Sequence, residues 1–218
     1  MVLPQKAAMA RIPYGWSFQQ AAPLCEGAHY ALSAIRSSGI ENNQHALVYG
    51  ATGSIGSAAV QLLKQLGVKV TAVVNTAQAE RFRAMGFERV YDYQTEDFLA
   101  TPQRFTLILD AVGKRSFGEL KPLLAPNGVY ISTELGKNAE NIGLAIRGSF
   151  TRGPKVKFPI PFISLADVKA IAQWAEQGAF IPLIDRVYPL DRIVEAYRYV
   201  ETGQKVGNVV LRIAEDSQ

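Results

Sequence analysis

The stretch Ala51-Thr52-Gly53-Ser54-Ile55-Gly56 sets a small-residue turn between an apolar run that reaches Gly50 and a run of helical periodicity. Such a turn suits the pyrophosphate of a dinucleotide. Gly53 lets backbone approach the phosphates, Gly56 lets the following helix pack closely on the strand, and the first amides of that helix bind negative charge with the help of its dipole. Ala51 stands where the usual fingerprint has its first glycine. About 20 residues beyond the turn, NAD-binding folds carry an acidic residue that holds the ribose hydroxyls. Here Asn75 and Thr76 occupy that place, no carboxylate follows until Glu80, and Arg81 stands close by. A carboxylate would repel a 2′-phosphate, whereas an amide, a hydroxyl and a guanidinium accept one, so NADP(H) is expected in preference to NAD(H).

Other phosphate chemistries are excluded by single residues. A P-loop needs a lysine before its closing Ser or Thr, and Ile55-Gly56-Ser57 has none. Short-chain reductases use a Tyr-x-x-x-Lys pair, and none of the nine tyrosines has a lysine four positions on. Methyltransferases end their second strand on an acid, which is missing here.

The chain has 218 residues, 48% hydrophobic and 19% charged, with a net charge of +4. That composition describes a globular domain with a substantial core. The basic residues are scattered; the pairs Arg81 with Arg83 and Lys155 with Lys157 are the densest, and no nucleic-acid face is expected. The single cysteine, Cys25, permits neither an intramolecular disulfide nor a multi-cysteine metal cage, and with only His29 and His45 beside it no metal site is expected. Cys25 and His29 read as packing residues. No run of the length of a membrane span and no signal segment is present, so the expected location is the cytoplasm, with no membrane partner.

Strands and helices must alternate if the turn is to be positioned. Residues 26–37 read as an amphipathic helix ended by Gly39. Strand 46–50, helix 54–66, strand 68–74, helix 77–85, strand 88–93, strand 105–112, helix 115–124 and strand 128–133 follow. This rhythm predicts an α/β fold with a doubly wound parallel sheet, the Rossmann fold. Residues 137–152 read as a mobile connection, and 155–161 as an edge strand because Pro159 and Pro161 cannot donate to a ladder. A helix over 164–177 completes the pattern.

Several motifs lie in a recognisable order: RIPYGWSFQQAAPLCEGAHYALSAI, VYGATGSIGSAAVQLLKQLG, LILDAVGKRSF, NGVYISTELG and LIDRVYPLDRIVEAYRYVETGQKVGNVVL. Together they resemble the medium-chain dehydrogenase/reductase superfamily, most of all its zinc-free, quinone-oxidoreductase-like branch. The resemblance implies that a GroES-like catalytic domain should precede this segment. On that expectation residues 1–25 are its remnant, 26–180 are the dinucleotide-binding domain, and 181–218 return to complete the catalytic domain. Carried over by position, Thr52, Gly53, Ser54 and Ile55 meet the pyrophosphate, while Asn75, Thr76, Arg81 and Tyr93 surround the 2′-phosphate. Ala111, Val112 and Gly113 lie along the nicotinamide ribose. Ser132, Thr133 and Leu135 line the nicotinamide pocket, with Asn208 at its far wall. The implied activity is NADPH-dependent reduction of a small-molecule acceptor, a quinone, enone or carbonyl, by hydride transfer. No residue is marked as a proton donor, and the chain alone is expected to be inactive. The other class the residues allow is a noncatalytic NADP(H)-binding module or sensor. The resemblance also implies a homodimer joined along the edge strand near Lys155–Pro161.

Overall fold

The computed structural model describes residues 7–148 and 152–213. Parts of the expected remnant (1–6), connection (149–151) and return segment (214–218) lie outside the described residues. The described elements run α1 Phe18–Ala21, α2 Glu26–Ser38, β1 His45–Tyr49, α3 Ser54–Gln65, β2 Lys69–Val74, α4 Thr76–Ala84, β3 Arg89–Asp92 and β4 Phe105–Asp110. They continue with α5 Phe117–Leu120, β5 Leu124–Ser132, α6 Glu140–Gly148, β6 Lys155–Lys157, α7 Leu165–Glu176, β7 Ile184–Pro189, α8 Ile193–Glu201 and β8 Asn208–Arg212.

Six strands form one parallel sheet in the order β3-β2-β1-β4-β5-β6. The order in which strands are added reverses between β1 and β4, which makes their C-terminal ends the switch point where ligands of doubly wound sheets bind. Continuous apolar runs are what a sheet covered on both faces requires. Along β1, Ala46 and Val48 join one core with α2, α3 and α7, while Leu47 and Tyr49 join the core on the opposite face. The same alternation in β4 sends Leu107 and Leu109 one way and Ile108 the other.

Three expectations need correction. Residues 137–152 are not simply a connection: α6 occupies Glu140–Gly148, with Leu144 and Ala145 packed against the second core. The interrupting glycines masked its period. The helix expected over 115–124 is only one turn, followed by a 3₁₀ turn at Lys121–Leu123, because Pro122 has no amide to continue the ladder. β5 accordingly starts at Leu124, four residues before the expected strand. The edge strand near Lys155–Pro161 pairs with β5 only over Lys155–Lys157, and Phe158 begins irregular chain that contains the two prolines.

Beyond α7, β7 and β8 form a separate two-stranded parallel sheet crossed by α8. The turn before β8 returns to the main sheet, where Gly207 bridges to Gly53.

Candidate functional site

The turn that follows β1 is built almost entirely from backbone. The amides of Gly50 and Ala51 both donate to the Val73 carbonyl at 3.2 Å, and the amide of Gly53 donates to the Gly50 carbonyl at 3.1 Å. Gly53 caps α3 in extended conformation without a side-chain cap, and no acid stands in the helix's first turn. The positive end of α3 is therefore left for an external anion. Gly56 is needed for steric reasons: a Cβ there would meet the Gly50 carbonyl oxygen at 2.1 Å. Thr52, Gly53, Ser54 and Ile55 line this turn half-buried.

The turn is braced from the far end of the chain. Gly207 donates its amide to the Thr52 carbonyl at 2.7 Å. Ser54 Oγ donates to Asn208 Oδ1 at 2.7 Å, and Asn208 Nδ2 donates to the Leu183 carbonyl at 2.9 Å. Asn208 thus stands against the turn Ala51–Gly56. Beside it Lys205 is half-buried, with Nζ donating to the Gly207 carbonyl at 2.8 Å, and burial pushes its ammonium pKa down.

At the end of β2, Asn75 caps α4 without using its side chain, and its Oδ1 is buried with no hydrogen-bond partner among the described residues. Thr76 is exposed, its amide donating to Gln94 Oε1 at 3.1 Å. Tyr93 donates its amide to the Val74 carbonyl at 3.0 Å and leaves its ring half exposed beside this position. Arg81 lies in the last turn of α4, exposed and without an ion-pair partner among the described residues. The site holds a carboxylate that sequence distance hid: Asp92, at the end of β3. The Thr76 hydroxyl, together with the Gln94 amide and the Thr95 hydroxyl, holds it below the usual carboxylate range. It is buried and occupied by these donors.

The third part of the edge is the loop after β4. Asp110 is fully buried and accepts the amides of Val112 at 2.9 Å and Gly113 at 2.8 Å, while Tyr130 Oη donates to it at 3.1 Å. Burial nevertheless pushes its carboxyl above the ordinary range. Ala111 donates to the Tyr49 carbonyl at 2.9 Å, and the Val112 side chain occupies the space beside Gly50. These contacts place Ala111 and Val112, with Gly113 next in the chain, beside the turn that follows β1. Ser132 is buried and accepts the Glu134 amide, and Thr133 donates to the Asp110 carbonyl at 3.0 Å. Both line a cavity of about 230 Å³ with Tyr30, Leu109, Phe158 and Ile160. Leu135 is half exposed and outside that lining.

The sequence-derived residues therefore gather along one edge of the sheet in three groups: the turn with Asn208, the end of β2 with Tyr93, and the ends of β4 and β5. Among the described residues Arg81 forms no hydrogen bond or ion pair with the second group. A dinucleotide fits these residues by one observation: a polar atom at Asn75 is buried without a partner among the described residues, whereas Gly56 serves the close packing of α3 on Gly50. Among the described residues no three of His, Cys, Asp and Glu converge, and Cys25, half-buried, has its thiol pKa raised by burial. Among them too, no helix is long and apolar enough to cross a membrane.

The profile of the zinc-binding dehydrogenase family matches residues 85–211. Curated relatives include 2-methylene-furan-3-one reductase of Solanum lycopersicum, 28% identical over 91% of this chain and 48% of its own. Another is the mitochondrial NAD(P)H oxidoreductase RTN4IP1 of Danio rerio, 28% identical over 94% of this chain and 60% of its own. The chain spans about half to three fifths of the length of these relatives. Among solved structures, the quinone oxidoreductase from Coxiella burnetii superposes with a TM-score of 0.82 at 22% identity, covering 94% of this chain and 64% of that one, and shows the same fold. The chain belongs to the zinc-binding dehydrogenase family within the medium-chain dehydrogenase/reductase superfamily, of which it carries the Rossmann dinucleotide-binding fold.

Proposed function

We propose that this chain is the NADP(H)-binding part of a reductase that transfers hydride to a small-molecule quinone, enone or carbonyl. The observation that carries this reading is the backbone turn Ala51–Gly56, closed against Gly50 and left without a side-chain cap at the start of α3. A relative named as an NADPH-dependent alkenal/one oxidoreductase, from Arabidopsis thaliana, supports the acceptor class, and one named as an NAD(P)H oxidoreductase supports the nicotinamide cofactor.

In this reading the amides of Thr52, Gly53, Ser54 and Ile55 hold the pyrophosphate. Asn75, Thr76, Arg81 and Tyr93 serve the adenosine ribose and its 2′-phosphate. Asp92 stays ionised under the Thr76, Gln94 and Thr95 donors and opposes a phosphate there, so the NADP(H) preference rests on Arg81 and Asn75 outweighing it. Ala111, Val112 and Gly113 support the nicotinamide ribose, and Ser132, Thr133 and Leu135 border the nicotinamide, with Asn208 behind the turn. The bound cofactor supplies the hydride; the chain's own residues bind and orient it. A homodimer joined through the outer edge of β6 belongs to the same reading, since that edge ends the sheet.

Titration with NADPH and NADH tests the reading. The chain is expected to bind NADPH more tightly, and Gly53→Asp, which puts a carboxylate at the phosphate turn, is expected to abolish binding of both. Undiminished binding by Gly53→Asp would contradict the assignment of the turn.

A further inference from the structure

The second core leaves an opening that the cofactor groups do not use. Between α5, α6 and β6 lies a cavity of about 370 Å³. Phe117, Leu144 and Val156, buried or half-buried, form its apolar floor. Phe117 is fixed there by its ring contact with Tyr130, centroid to centroid 5.8 Å, and Val156 by its pairing with Tyr130 in the sheet. Three exposed cations, Lys121, Arg147 and Arg152, stand on the rim, and no Asp or Glu is among the lining residues. None of the three forms an ion pair among the described residues. The acid nearest Lys121 in sequence, Glu119, accepts from Arg115 at 2.8 Å and from the Ser116 amide at 2.8 Å. Lys121 has only the Phe117 ring, with Nζ 6.0 Å from its centroid.

Three like charges around one apolar hollow repel one another, and a neutral occupant leaves that repulsion in place. The volume falls in the range of small-molecule sites, roughly 300–1,000 Å³. A carboxylate answers one cation. A phosphate monoester carries a charge of about −1.5 to −2 at neutral pH with three acceptor oxygens, and guanidinium groups bind it through paired N–H donors. We infer that this cavity binds the phosphate monoester of an aromatic or apolar small molecule. Lys121, Arg147 and Arg152 hold the phosphate, and Phe117, Leu144 and Val156 receive the apolar part. The site shares no residue with the three groups along the C-terminal edge of the sheet, so it does not depend on the dinucleotide reading.

The test is titration of the isotope-labelled full chain with phenyl phosphate, inorganic phosphate and phenol, followed by backbone amide NMR. Phenyl phosphate is expected to give saturable shifts at Gly118, Leu144, Gly148 and Val156, and each of the other two probes to bind more weakly. Lys121→Gln, Arg147→Gln and Arg152→Gln, all at exposed positions, should each weaken phenyl phosphate by roughly five-fold. The triple variant should lose saturable binding while its amide spectrum stays dispersed; if it does not fold, the single variants decide. Undiminished affinity in these variants overturns the inference. So do shifts confined to Thr52–Ile55 and Asn75–Thr76, which put the phosphate at the cofactor edge instead. Inorganic phosphate binding as tightly as phenyl phosphate overturns the assigned ligand class.

Discussion

The amide of Gly207 donates to the Thr52 carbonyl at 2.7 Å, joining the loop before the last strand to the turn after the first. Residues 155 positions apart thereby share one loop cluster, and the turn after β1 is tied to the loop before β8. Gly207 has φ +72°, and a Cβ there would meet the Leu183 carbonyl oxygen at 2.2 Å. Gly207→Ala is therefore expected to destabilise the fold by about 1–3 kcal/mol through strain and overpacking. Denaturant unfolding measures this, and the same variant should lose dinucleotide affinity. Gly56→Ala is expected to act in the same direction, since its Cβ would press on the Gly50 carbonyl.

Arg81 is exposed and has no acidic partner among the described residues, which leaves its charge available to a ligand. Arg81→Ala should weaken NADPH by roughly ten-fold and leave NADH unchanged, the difference of one charge-assisted contact to the 2′-phosphate. Paired calorimetric titrations read this directly. An equal loss for both cofactors would place Arg81 outside the 2′-phosphate site.

Asp110 holds the loop at Val112 and Gly113, and its carboxyl is raised by burial against the pull of those amides and Tyr130. An acid with a raised folded pKa binds its proton more tightly in the native state than in the unfolded chain. Its contribution to stability therefore falls as pH rises from about 4 through the folded pKa and levels off above it. Asp110→Asn keeps a carbonyl acceptor for the amides and should flatten this dependence. Asp110→Ala leaves both amides without their acceptor and should cost about 2–4 kcal/mol at neutral pH. Unfolding free energies measured across pH for the three proteins check both statements.

Much of the fold was legible because a parallel sheet needs apolar runs, and HALVY, KVTAVV and FTLILD supply them without interruption. The tight turn after β1 was legible for a related reason: glycines reveal where backbone must be bare. α6 was hidden because Gly143 and Gly148 interrupt its apolar stripe, and its partner strand β6 is short. Asp92 was hidden by distance along the chain. It reaches the end of β2 through the pairing of Val74 with Asp92. That pairing leaves no local pattern, so only the assembled sheet brings this charge to the site.

The most direct measurement is backbone amide NMR of the isotope-labelled chain titrated with NADPH. The expected result is a saturable set of shifts at Thr52–Ile55, Asn75–Thr76, Val112–Gly113 and Ser132–Thr133, along the C-terminal edge of the sheet. Shifts confined to other parts of the chain, or none at saturating cofactor, would contradict a dinucleotide site at this edge.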